Sequence, residues 1–248
     1  MSLMASRRPV LALVHSPLVG AETWQRVAGA LRARGHETIV PSLTEVFRGP
    51  GPYYPRLTAA VVDEIDRYAD GGRVVLVGHS GAGALLPAAA RATAEAVEGL
   101  LYVDALLPHP GRCWFETAPE EMTAQLRGLA EDGLLPPWNE WFPPGTVEEL
   151  LPDPDTRARF CAELPRLPLA YFEETAPEVP GVPVFGSAYL RLSEGYADEN
   201  ARAERAGWRV AQHPSHHLAM LTEPAEVSAR LAELVDGLEA DQRGGGFT

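Results

Sequence analysis

The chain has 248 residues, of which 46% are hydrophobic, and a formal net charge of -13. That is enough apolar material for one domain with a full core and room for an inserted segment, rather than two independent domains. The negative balance argues against nucleic acid or an anionic membrane as the main partner and leaves a small-molecule substrate. Lysine is absent, so all 21 basic residues are arginine, which reads as the codon usage of a high-GC genome. Met1 to Pro9 is short and basic, and the apolar run Val10 to Val14 is too brief for a signal-peptide core or a membrane span, so a cytoplasmic protein is expected. Cys113 and Cys161 have no zinc or redox spacing and read as reduced structural thiols; neither a metal nor a cofactor is expected. Nothing in the sequence sets the oligomeric state.

In chain order, Val10 to Val14 predicts a first strand, followed by a turn at Ser16-Pro17 and a helix from about Glu22 to Arg34 that stops at Gly35. Glu37 to Val40 is the second strand. Leu57 to Tyr68 has apolar residues at helical spacing and ends at Gly71-Gly72; Val74 to Val77 is the third strand, and Gly81 to Ala96 the helix behind it. Leu100 to Val103 is the fourth strand. Ala188 to Leu192 and Trp208 to Ala211 read as the fifth and sixth, with a helix near Asp198 to Arg205 between them and a last helix from Pro224 to Leu238. The tail Asp241 to Thr248 reads as disordered. Strands separated by helical segments predict an α/β fold with a mostly parallel sheet of about six strands and helices on both faces.

Between Leu106 and Pro180 this alternation stops, and prolines and aromatics crowd together over a stretch too long for a plain loop. Helical pieces are expected at Pro119 to Glu131, Thr146 to Leu150 and Asp155 to Glu163. The segment carries Trp114, Phe115, Trp138, Trp141, Phe142, Tyr171 and Phe172. Most of these would pack the insertion, residues 106–180, onto the main body, residues 1–105 and 181–240. Some would form the apolar inner face of a lid, with Trp114, Trp138 and Trp141 as candidate substrate contacts.

The run Arg73-Val-Val-Leu-Val-Gly-His-Ser-Gly-Ala-Gly83 is a buried-strand pattern ending on a serine among small residues. A serine at so sharp a strand-to-helix turn must take a strained backbone conformation, and neighbours two positions away must be small, here Gly78 and Ala82. The turn would expose the Ser80 hydroxyl and aim the Gly81 amide at an oxygen bound above it, the pattern of a nucleophile elbow. A glycine-rich nucleotide-binding turn is the competing reading, but neither the G-x-G-x-x-G fingerprint nor a Walker lysine is there.

With these strands, the elbow and the insertion after the fourth strand, the chain resembles the α/β-hydrolase fold over nearly its whole length, from Pro9 to about Leu238. The opening His15-Ser-Pro-Leu-Val-Gly-Ala-Glu-Thr-Trp24 and the ending His217-Leu-Ala-Met-Leu221 are similar to those of the methylesterase and hydroxynitrile lyase branch. That resemblance implies a catalytic base at His217, which follows the sixth strand by a short loop and so reaches the sheet edge where Ser80 sits. His216 is the alternative base, with His213 nearby. His15 and His79 flank the site by position and would contact substrate or orient loops; His36 and His109 read as surface residues.

The resemblance places the third member after the fifth strand, where the chain reads Tyr189-Leu-Arg-Leu-Ser-Glu-Gly-Tyr196, with Gly195 where the branch would have aspartate. Glu194 is one position out of register. Asp104, at the end of the fourth strand, lies in a sequence similar to that of haloalkane dehalogenases with their acid there, and either carboxylate could reach the histidine because the two strands are neighbours. Asp104 is favoured, with Glu194 the alternative.

By the same resemblance the oxyanion donors would be the amides of Gly81 and of residue 17. Proline 17 has no amide hydrogen, so either the Ser16 hydroxyl compensates or the loop shifts to offer another amide. Three readings follow: a serine hydrolase of small, largely apolar esters, thioesters or lactones; a lyase, cyclase or epimerase using Ser80 and His217 for proton transfer; and a ligand-binding protein without turnover.

Overall fold

Apolar runs in this chain become buried strands because the sheet they form is covered on both faces. The computed structural model describes residues 8–179 and 186–244. Six parallel strands lie in the order β2-β1-β3-β4-β5-β6, with β1 at Val10–Val14, β2 at Thr38–Ile39, β3 at Arg73–His79, β4 at Ala96–Val103, β5 at Gly186–Arg191 and β6 at Arg209–Gln212. Side chains alternate between faces along each strand. Leu11, Leu13, Val75, Val77, Leu101 and Val103 point into one core, closed by Trp24, Val27 and Leu31 of α1 (Glu22–Ala33) and by Val227, Leu231 and Val235 of the last helix. Ala12, Val14, Val74, Leu76, Leu100 and Tyr102 point into the other, against Leu57, Val61 and Ile65 of α2 (Tyr53–Tyr68) and Leu86 and Ala89 of α3 (Leu86–Ala92).

Several boundaries differ from the sequence expectation for identifiable reasons. The first turn of α2, Tyr53 to Arg56, precedes the predicted start because the Glu174 carboxylate accepts from the amides of Tyr53 and Tyr54 (2.6 and 2.8 Å), a cap supplied from 120 residues away. The helix expected over Gly81 to Ala96 is broken. A 3-10 turn at Ser80–Ala84 precedes α3, whose start is fixed by Pro87, and the chain is already in β4 at Ala96. At the sheet edge β2 keeps two residues of the four expected. The tail from Asp241 is not disordered over its described part: the last helix runs Pro224–Gly244, and the Asp241 carboxylate accepts two hydrogen bonds from Arg209 of β6 (2.6 and 2.7 Å). Residues 245–248 lie outside the described residues.

Between β4 and β5 the chain forms α4 (Glu120–Leu129), α5 (Thr146–Leu150), α6 (Pro154–Ala162) and α7 (Leu169–Glu173). The first three match the helical pieces expected; α7 was not foreseen. The expected boundary at Pro180 lies outside the described residues. Phe172 of α7 is the hub of the insertion's packing, with ring centroids 5.2 Å from Trp114, 5.6 Å from Phe115 and 6.0 Å from Trp141. The remaining helices are α8 (Ala197–Arg205), α9 (Ala219–Thr222) and α10, the last helix; among the described residues no helix is long and apolar enough to cross a membrane.

Where the chain leaves β4 it crosses directly over the turn after β3. The Leu106 amide donates to the Ser80 carbonyl (3.1 Å), and a Cβ at Gly83 would lie 2.0 Å from the Leu106 carbonyl oxygen. Gly83→Ala should therefore cost at least about 1–3 kcal/mol through forced backbone displacement. At roughly 2–4 °C per kcal/mol this is a fall of several degrees in the melting temperature, read by calorimetry; an unchanged value would mean that the crossing is looser than described.

Candidate active site

Ser80 follows directly on β3 with φ +55°, a left-handed backbone that costs a serine about 1–3 kcal/mol and persists only when its surroundings hold it. Here they do. Leu86 of α3 packs so closely on Gly78 that a Cβ there would meet its side chain at 3.0 Å, and the Leu106 amide holds the Ser80 carbonyl.

Asp104 follows β4 in the same way, with φ +43° and its amide donating to the Leu190 carbonyl of β5 (2.8 Å). Its side chain is fully buried. One carboxylate oxygen accepts from the amides of Leu192 and Ser193 (both 2.9 Å), the other from the Ser193 hydroxyl (2.5 Å) and from His217 Nδ1 (2.8 Å). Burial pushes this carboxyl upward, but the bond to His217 and its charge, with the Ser193 bonds, outweigh it and leave Asp104 below the ordinary carboxylate value. An ionised carboxylate can only accept, so His217 donates from Nδ1, and Nε2 is the ring nitrogen left for other partners.

His217 reaches this point on the loop between β6 and α9. His79 Nε2 donates to its carbonyl (3.0 Å) and the two rings lie 4.4 Å apart. On the imidazole the Tyr196 ring is stacked, with centroids 4.9 Å apart and planes 4° from parallel, and Tyr196 Oη is 3.3 Å from Ser80 Oγ. Among the described residues the hydrogen-bond partner of the Ser80 hydroxyl is Tyr196, and no bond joins it to His217.

Of the paired alternatives, the fold brings together Asp104 and His217 and separates the others. Glu194 turns outward, its side chain 87% exposed and paired with Arg191 at 2.5 Å. His216 is bonded to Thr222 (2.9 Å), and His213 to Glu223 (2.6 Å).

A cavity of about 530 Å³ opens over this edge, with Ser80, Gly81 and His217 in its floor and Trp114, Trp138, Trp141 and Phe142 of the insertion in its wall. Phe115, Tyr171 and Phe172 do not line it. Sequence reasoning missed Tyr196, Met122 and the carboxylates Asp198 and Glu199, which also line the cavity. Tyr196 was visible as the residue after Gly195, but a loop tyrosine carries no pattern of its own.

The expectation that His15 and His79 contact substrate is corrected: both are buried and neither lines the cavity. His15 accepts from the Leu43 amide at Nε2 (3.1 Å), so it donates from Nδ1 to the Ser16 carbonyl (2.8 Å), joining the loops after β1 and β2. His36 is buried rather than at the surface, within 3.0 Å of an Arg8 nitrogen, and His109 is half-buried.

Beside Gly81, Ser16 and Pro17 are buried, and it is Leu18 that faces the cavity. The Leu18 amide donates to Ser16 Oγ (3.3 Å) and the Val19 amide to the Ser16 carbonyl (3.1 Å), so both amides after Pro17 are used within the loop. The Ser16 hydroxyl, which accepts from Leu18, keeps its proton to donate; like His15 and His79 it is buried and does not line the cavity, but a Cβ on Gly81, which does, would lie 3.3 Å from its oxygen. Cys113 and Cys161 are free thiols, and among the described residues no cluster of histidine, cysteine, aspartate and glutamate could hold a metal ion.

A doubly covered parallel sheet with a left-handed serine after the third strand and a carboxylate-bound histidine at the same edge defines an esterase-like enzyme of the α/β-hydrolase fold. The sequence matches that of the alpha/beta hydrolase family over residues 11–230, and the chain belongs to this family. A carbendazim-hydrolysing esterase of Nocardioides sp. (strain SG-4G) is 26% identical over 90% of this chain and 98% of its own. An extracellular α/β-hydrolase from a Paenibacillus species superposes with a TM-score of 0.71 at 18% identity, over 91% of this chain and 98% of that one. Tomato methylketone synthase I superposes with a TM-score of 0.66 at 17% identity, over 93% of this chain and 99% of that one.

Burial drives the His15 pKa down to about 4 and, with the charge of His217 adding to burial, holds that of His79 well below 6.5. Because the folded state disfavours the protonated forms, this stability is complete above about pH 6.5 and is lost as pH falls towards 4, with His15 alone contributing roughly 3 kcal/mol. The melting temperature should therefore drop steeply between pH 6.5 and 4.5. A flat profile over that range would contradict a neutral buried His15.

Proposed function

We propose that the protein is a serine hydrolase of small, largely apolar esters, thioesters or lactones, working through an acyl-enzyme on Ser80. The observation that carries this reading is the 2.8 Å bond from His217 Nδ1 to the buried carboxylate of Asp104, with His217 and Ser80 in the floor of one cavity. Ser80 Oγ attacks the carbonyl carbon as its proton passes to His217 Nε2. The tetrahedral intermediate then collapses as His217 returns that proton to the leaving group, and water repeats the sequence on the acyl-enzyme. Asp104 fixes the histidine tautomer and offsets the charge of the imidazolium. The Gly81 amide and the Ser16 hydroxyl receive the oxyanion. The tryptophans of the cavity wall favour an apolar acyl or alcohol group. The esterase activity of the Nocardioides relative agrees with this reaction class, as do the opening and ending motifs of the methylesterase branch.

A second reading, a lyase, cyclase or epimerase on the same residues, is favoured by one observation: Pro17 offers no amide and the next two amides are spent within the loop, which leaves the oxyanion a single backbone donor. Product analysis separates the two, since hydrolysis releases an acid and an alcohol.

Ser80→Ala should abolish turnover of p-nitrophenyl butyrate and labelling by a fluorophosphonate while leaving the melting curve intact; retained turnover would remove the assignment. Asp104→Asn should lose roughly 10³- to 10⁴-fold in kcat because the tautomer is no longer fixed, whereas Glu194→Gln should change it by less than about twofold. The opposite ranking would place the acid elsewhere. Ser16→Ala should lower kcat by about tenfold or more with little change in KM, as befits a donor acting in the transition state.

A further inference from the structure

The Ser80 hydroxyl is paired with a group that the Ser80–His217–Asp104 mechanism does not use. Tyr196 stands at the end of β5, in the 3-10 turn Glu194–Tyr196 that follows Arg191, and lines the cavity. Its ring lies flat against the imidazole of His217, and its hydroxyl comes within 3.3 Å of Ser80 Oγ. Tyr196 Oη therefore sits on the His217 side of Ser80. In a serine hydrolase that side is defined by function: the leaving group must depart next to the histidine nitrogen that protonates it, and water must enter at the same place.

We propose that Tyr196 is a further catalytic residue, whose hydroxyl donates a hydrogen bond to the leaving alcohol as it departs. This rests on the serine-hydrolase reading above. When the tetrahedral intermediate collapses, the bond from carbon to the leaving oxygen breaks and its electron pair goes to that oxygen. The proton on His217 Nε2 moves to the same oxygen, the carbonyl re-forms, and Ser80 Oγ stays bonded to the acyl carbon. Tyr196 keeps its own proton throughout and stabilises the charge on the leaving oxygen before protonation is complete. In the second half-reaction the same hydroxyl holds the entering water.

Two further features suit Tyr196 to this task. Burial, with the charges of Asp104 and Glu199, pushes the phenol above its usual pKa although the bond to Ser80 pulls it down, so it remains a neutral donor. The flat stack places the electron-rich face of the phenol against the ring that becomes an imidazolium, which favours that ion. In the turn after β5 Glu194 points away to Arg191 and Gly195 offers no side chain, so Tyr196 is the residue of this turn set against His217, which Asp104 holds from β4.

A donor to the leaving group matters in proportion to how poor that leaving group is. The experiment compares ethyl butyrate with p-nitrophenyl butyrate, which share an acyl group but differ in the basicity of the alcohol released, in the wild-type enzyme and in Tyr196→Phe, which keeps the ring and its stack. Tyr196→Phe should lower kcat/KM for the ethyl ester by roughly 10- to 100-fold and for the p-nitrophenyl ester by less than about threefold, with an unchanged melting temperature. A purely structural tyrosine would affect both esters alike, so equal losses would overturn the proposal, and so would an undiminished rate on the ethyl ester. The serine-hydrolase reading has its own separate test in the same assays: it fails if Ser80→Ala still turns over either ester, whatever the pattern seen in Tyr196→Phe.

Discussion

The Asp104 carboxylate is the joint on which the site hangs. Its four hydrogen bonds tie the end of β4 to the start of the loop after β5 and to the histidine loop after β6, so three separate excursions of the chain are held by one buried charge. A carboxylate without water must be met on all sides to stay ionised, and here two amides, a hydroxyl and an imidazole meet it. Its left-handed backbone is part of the same arrangement, since it lets the Asp104 amide continue the β4–β5 ladder to Leu190 while the side chain turns back under His217.

A second constraint works through backbone crowding on the other side of the site. The chain leaving β4 passes so close to the turn after β3 that only glycine fits at position 83, and that contact fixes Ser80 relative to Leu106 in the cavity. Ser80 and Asp104 are thus both residues with a left-handed backbone at the ends of adjacent strands, Ser80 held by the chain leaving β4 and Asp104 by the end of β5 and the loop that follows it. The insertion contributes the cavity wall, and it is fastened to the body by Glu174, whose carboxylate caps α2.

Burial and chemistry are divided sharply among the histidines. His15 and His79 are kept neutral by desolvation and serve as fixed connectors, one between two loops and one beneath the carbonyl of His217. His217 alone of the three opens into the cavity, with a carboxylate behind it and a phenol ring flat against it.

The sequence by itself determined the parallel α/β architecture, because continuous apolar strands separated by amphipathic helices have few other ways to bury both faces. It also marked Ser80, since a serine between glycines at the end of such a strand is a local backbone requirement written in adjacent residues. What depends on distant partners was left to the tertiary structure. That His217 is bonded to Asp104 while Glu194 turns out to Arg191 depends on contacts between separate loops, which have no spacing signal in the chain. The first turn of α2 waited on Glu174 and the end of α10 on Arg209. Tyr196 and the buried roles of His15 and His79 were undecided for the same reason: side-chain identity is local, but the partners that give it a function are assembled only when the sheet closes and the insertion folds over its edge.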